Sequence, residues 1–159
     1  MKRRHLKKAS DRLVAAAFCG RTARVAELLR AGAQPDRPDR DGTTPLYAAA
    51  VHGAVDAVRL LLAAGAAPDT ESGHGSEGTP LCAAACWGHT EVVRELLAYG
   101  ADPGLREDGG TGLAPGEWAA RGGWSEVAEL LSSGFGTSSG RSVSHGDSVR
   151  AAVVAAARR

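Results

Sequence analysis

Residues 78–102 read Gly78-Thr79-Pro80-Leu81-Cys82-Ala83-Ala84-Ala85-Cys86-Trp87-Gly88-His89-Thr90-Glu91-Val92-Val93-Arg94-Glu95-Leu96-Leu97-Ala98-Tyr99-Gly100-Ala101-Asp102. Thr79 is a good helix N-cap, and Pro80 suits the first helical position, where its missing N–H would be unpaired anyway. Leu81 and the small pair Ala84-Ala85 then face inward, where small side chains let two helices pack closely. Gly88 supplies the left-handed residue that ends so short a helix. A second helix follows, with Val92, Val93, Leu96 and Leu97 at helical spacing, and Gly100 closes it. The stretch is a hairpin of two short helices.

Working outward, the same marks recur at a nearly fixed interval, which is the signature of a repeat architecture. Thr44-Pro45-Leu46 precedes Thr79-Pro80-Leu81 by 35 residues, and Pro115 falls another 35 on. Ala49-Ala50 matches Ala84-Ala85 and then Ala119-Ala120, while Gly53 matches Gly88 and Gly123. Ala16-Ala17 and Gly20 sit 33 residues before Ala49-Ala50 and Gly53. Four units emerge, at about 11–36, 42–69, 78–103 and 112–136.

This pattern resembles the ankyrin repeat, most closely through Thr79-Pro80-Leu81, Ala84-Ala85, Gly88-His89-Thr90-Glu91-Val92-Val93, Leu96-Leu97 and Gly100-Ala101-Asp102. The resemblance covers residues 11–136 and implies an all-α, ankyrin-like helical-hairpin solenoid of about four repeats. The His that follows Thr-Pro-Leu in that family is Tyr47, Cys82 and Glu117 in units two to four. That His ties neighbouring loops together, so the loops here are expected to be held less firmly. Unit one has Asp11-Arg12-Leu13 in place of Thr-Pro-Leu, and unit four reads Ala114-Pro115-Gly116. Degenerate ends are expected of a solenoid, whose terminal repeats turn one face to water.

Bulk composition agrees. Of 159 residues 43% are hydrophobic but only 4% aromatic, so alanine-rich backbones must approach closely, as thin paired helices do. The net charge of +1 gives no global drive toward nucleic acid or membrane. Its distribution is uneven: residues 1–12 carry +5, residues 13–136 carry −7 and residues 137–159 carry +3. The chain therefore divides into a basic N-terminal arm (1–10), the repeat domain (11–136), and a Ser/Gly linker with a short C-terminal helix (137–159). No apolar run approaches the roughly 18–20 residues that cross a bilayer. The charged start is not followed by an apolar stretch, which reads against a secretory signal. An odd count of three cysteines then fits free thiols in a cytoplasmic setting.

Little in the sequence speaks for chemistry. Cys82, Cys86 and His89 share one helical region, but a fourth metal ligand cannot be named, and no metal or cofactor is expected. Glu71, Glu77, Glu107 and Asp108 fall in the Gly-rich loops Thr70–Gly78 and Leu105–Gly112. Those loops are expected to be mobile, exposed hairpin tips where nothing raises a carboxylate pKa. No nucleophile sits in a strained elbow, and no Gly-rich run has the strand and lysine of a phosphate site.

Binding is the better reading. Two variable positions precede the glycine that ends each first helix: Phe18-Cys19, Val51-His52, Cys86-Trp87 and Arg121-Gly122. The resemblance puts them on the concave side of the stack. Phe18, His52, Trp87 and Arg121 then form a row of aromatic and arginine anchors, the composition of a binding patch. Arg40, His74 and Glu107 mark the loop tips as a second surface. The expectation is a monomeric, non-enzymatic module that binds another protein. The alternative is a regulator whose basic arm contacts nucleic acid while the repeats hold a protein, although no aromatic is interleaved in the arm to stack on bases.

Overall fold

A computed structural model of the chain describes residues 2–75 and 77–134; the expected linker and C-terminal helix of 137–159 lie outside the described residues. Four helical hairpins follow one another: α1 (Lys2–Phe18) with α2 (Thr22–Arg30), α3 (Pro45–Val51) with α4 (Val55–Ala63), α5 (Pro80–Trp87) with α6 (Thr90–Ala98), and, beyond the single-turn α7 (Glu107–Gly110), α8 (Pro115–Gly122) with α9 (Ser125–Gly134). Helices α1, α3, α5 and α8 pack side by side as an inner layer, and α2, α4, α6 and α9 as an outer layer. Loops join each outer helix to the next inner one, and we call them fingers.

The element boundaries follow from the cap chemistry. The Thr44 hydroxyl accepts the Tyr47 amide at 3.3 Å, and the Thr79 hydroxyl accepts that of Cys82 at 3.2 Å. Pro45, Pro80 and Pro115 each open an inner helix. Gly88, at φ 72°, ends α5 with its amide turned back to Ala85, a conformation that costs a residue with a Cβ. Arg12 stands where the other units have proline. With an N–H to donate and no ring to clash, helix α1 runs back to Lys2, so the basic segment is continuous with the first helix of unit one.

Alanine sets the spacing of the inner layer. Ala17, Ala49, Ala50, Ala84, Ala85 and Ala119 are all fully buried, and Leu46 and Leu81 fill the space beside them. Leu61, Leu62, Val92, Val93 and Leu96 close the core from the outer layer. On the outer face of the stack, arginines bridge successive units. Arg59 reaches Glu95 at 2.7 Å, and Arg94 reaches Glu126 at 3.0 Å.

Candidate functional site

Inner helices α3, α5 and α8 each start at a finger, and all four inner helices end at a tight turn. Eight residues at 1.5 Å apiece separate those two edges by about 12 Å. Arg40, His74 and Glu107 belong to the finger edge, while Phe18, His52, Trp87 and Arg121 belong to the turn edge. The seven candidate residues thus fall on two edges of one stack.

Hydrogen bonds hold the bases of the fingers, while His74 and residues 108–111 at the tips are exposed. Ser72 is fully buried, and Gly73 and Gly78 are buried with it. The Ser72 hydroxyl accepts the Thr44 amide at 2.9 Å and donates to the Glu77 carboxylate at 2.7 Å. Thr43 donates its hydroxyl to the same carboxylate at 3.0 Å, and the Gly73 amide donates to the Gly42 carbonyl at 2.9 Å. The fingers of units two and three are thereby sewn together, with His74 lying over Gly42 at φ 55°. In unit four, Arg106 takes Glu117 with two nitrogens at 2.9 Å each, and Glu117 also accepts the Ala114 amide at 2.7 Å. Cys82 offers its thiol to the carbonyls of Leu105 and Leu113 at 3.9 and 3.7 Å. Cys82 and Glu117, two of the three residues standing in for the family's His, therefore hold the loops themselves. Arg40 is exposed, with a 3.2 Å ion pair to Asp11.

Glu107 also differs from the wet carboxylate expected. It is half-buried, folded over Gly78 and Gly112, and accepts the Trp118 indole N–H at 2.8 Å. Burial pushes its pKa up, with Asp108 and Glu71 adding to the rise, against the hydrogen bonds from Trp118 and Cys82. Nearby, burial drives the Cys82 thiol up to about 12. The Tyr47 phenol also rises to about 12, through burial and then the charges of Glu77 and Glu107. Both stay protonated at neutral pH, so neither is an activated nucleophile. The Cys82, Cys86 and His89 trio does not converge, and no metal-binding group of three His, Cys, Asp or Glu occurs among the described residues.

At the turn edge the candidates are open. Phe18 is 53% and Trp87 60% exposed, and Phe18 meets His52 edge-on with ring centroids 3.9 Å apart. Phe18 and Arg121 hold the first of the two variable positions, His52 and Trp87 the second. Arg121 lies 5.9 Å over the Trp118 ring, at the limit of a cation–π contact.

One residue of this edge escaped the sequence reading. Trp124 is 43% exposed and donates its indole N–H to the Cys86 carbonyl at 3.0 Å. His89, 35 residues earlier, makes the same link from Nε2 to the Val51 carbonyl, also at 3.0 Å. A carbonyl only accepts, so Nε2 carries the proton there. Each ring lies on the helix-ending glycine of the preceding unit, Gly53 under His89 and Gly88 under Trp124. The signal was present in the sequence: Gly88-His89 aligns with Gly123-Trp124, and both rings carry an N–H.

The hairpin stack and its register agree with comparison to known proteins. The family description "Ankyrin repeats (3 copies)" matches residues 13–107, more than half of the chain. The protein belongs to the ankyrin-repeat family, whose members generally serve as protein–protein interaction modules. The match ends before unit four, whose Ala114-Pro115-Gly116 departs from the pattern, yet α8 and α9 pack on α5 and α6 as the earlier hairpins pack on each other. Among curated proteins no match was found. No helix among the described residues is long and apolar enough to cross a membrane.

Proposed function

We propose that this chain is a non-enzymatic module that binds a partner protein through the concave helix face, with the finger tips as a second contact. One observation carries the reading. The large hydrophobic side chains exposed among the described residues are Phe18, Trp87 and Trp124, and all three lie at the inner-helix turns. Exposed aromatics gathered on one edge are what interface anchors look like, because a rigid ring loses little freedom when it is covered. Arg121 at the end of the row and Arg40, His74 and Glu107 at the fingers supply polar contacts around it. A monomer in the cytoplasm is the setting we assign to it.

The test is affinity purification with wild-type and variant baits. Trp87→Ala should weaken capture of the principal partner by about 2 kcal/mol, roughly thirtyfold, if Trp87 is an anchor. It should keep the helical spectrum, because the side chain is 60% exposed. Arg94→Ala on the outer layer should leave capture unchanged. Equal capture by all three baits places the binding surface elsewhere and defeats the assignment of this edge.

A further inference from the structure

The ring-filled turns have a gap. At the junction of units two and three, a Cβ on Gly53 would come within 2.7 Å of the His89 ring; at the junction of units three and four, one on Gly88 would come within 2.4 Å of the Trp124 ring. The residue in that register at the junction of units one and two is Ala54. Over Gly20 the nearest atom is the Ala54 Cβ at 3.8 Å. The backbone there is the same, with φ −77° and ψ 72° at Ala54 against φ −79° and ψ 75° at His89. Only the ring is missing. Its place is an open groove of about 460 Å³ lined by Phe18, Gly20, His52, Ala54 and Asp56.

We infer that this groove receives an indole side chain, a tryptophan of the partner protein, which completes from outside the row that His89 and Trp124 form from within. The inference rests on the protein-binding reading and names one subsite of it. The two filled junctions specify the ligand chemistry: a flat ring over the turn glycine, with an N–H directed at the carbonyl two positions before it. Val51 and Cys86 supply that carbonyl at the filled junctions, and Phe18 holds the equivalent position here. Indole fits better than imidazole. The Phe18 and His52 rings, edge-on at 3.9 Å, make an aromatic wall at this junction, against which an indole lays more apolar surface than an imidazole does. Phe18 and His52, which line the groove, stand like Trp87 at the inner-helix turns.

The test is a titration of the full ¹⁵N-labelled chain with N-acetyl-L-tryptophanamide, read by amide chemical shifts. Saturable shifts centred on Gly20, His52 and Ala54 are expected, with half-saturation on the order of millimolar. The analogue methylated on the indole nitrogen should bind about fivefold more weakly, having lost one hydrogen bond. Ala54→His refills the junction as His89 fills the next, and should abolish the shifts. Phe18→Ala, at an exposed position, should weaken binding several-fold without relying on that replacement. Shifts that fail to saturate, that centre elsewhere, or that persist in Ala54→His overturn the inference. So does a concentration-dependent dimer, seen by sedimentation, that Ala54→His and Trp87→Ala both abolish, because a second copy then owns the groove. A partner lost by Trp87→Ala but held by Ala54→His overturns this subsite alone and leaves the binding reading in place.

Discussion

Replacing Ser72 by alanine tests how firmly the fingers are held at their bases. The hydroxyl does two jobs from a fully buried position: it accepts the Thr44 amide at 2.9 Å and donates to the Glu77 carboxylate at 2.7 Å. Without it, the buried Thr44 N–H at the start of α3 loses its acceptor. Leaving such a donor unsatisfied costs about 1–3 kcal/mol, and a hydrogen bond to a charged group is worth about 1.5–3 kcal/mol. Glu77 keeps the Thr43 hydroxyl and remains partly exposed, so the second contribution is not wholly lost. A total of about 2–4 kcal/mol follows, which for a body of this size lowers Tm by roughly 6–15 °C. The assay is thermal and urea unfolding followed by far-ultraviolet circular dichroism. Thr22→Ala is the matched control, since its exposed hydroxyl makes only a 3.5 Å contact with the Gly20 carbonyl; it should stay within about 0.5 kcal/mol of wild type. If Ser72→Ala unfolds with the control, the fingers are not sewn together as described, and the argument for a held edge fails.

Leu96→Ala, in the fully buried core of unit three, should cost about 2–5 kcal/mol in the same unfolding assay. Thiol titration with an aromatic disulfide at pH 8 should modify exposed Cys19 first and half-buried Cys86 more slowly, with Cys82, whose pKa is about 12, reacting only on unfolding. Glu107 makes stability depend on pH. Its folded pKa is raised, so the native state holds the proton longer than the unfolded chain, and stability falls as pH rises from about 4.3 through the raised value. Glu107→Gln, which can still accept the Trp118 N–H, should remove that fall; urea midpoints between pH 4 and 8 that run parallel for the two proteins would contradict it.

What could be read from the sequence was what local backbone chemistry controls. Thr79-Pro80 starts a helix and Gly88 ends one whatever surrounds them, so four hairpins and their register were legible before any contact was known. The small pair Ala84-Ala85 carried the packing distance as well. The bonding of the finger bases was not legible, because Ser72 finds its acceptor role at Thr44, 28 residues away, only after the units have stacked. Glu107 misled for the same reason: its shelter is Trp118 and Gly78, neither of which is its neighbour in the chain. The row of candidate anchors was half legible. Phe18, His52, Trp87 and Arg121 were found by alignment, whereas Trp124 was overlooked because it stands where the family has a histidine.

The missing ring at Ala54 also bears on how the molecule comes apart. In a stack where each unit touches only its neighbours, the chain behaves as a row of coupled links, and it parts at the link with the weakest coupling. The second and third links each have an aromatic N–H bond on one side and an arginine bridge on the other, Arg59 to Glu95 and Arg94 to Glu126. At the first link Ala54 has no ring, and Arg24 spends its charge on Glu27 of its own helix. What remains there includes the Arg40–Asp11 pair and the Ala67 amide on Asp36 at 2.7 Å. The packing of α1 on α3 is as extensive as that of α8 on α5, so these side-chain cross-links are what sets the first link apart; if they set the order of opening, amide protons of α1 exchange ahead of those in α5. A ligand seated at the first link would act on it as a clasp.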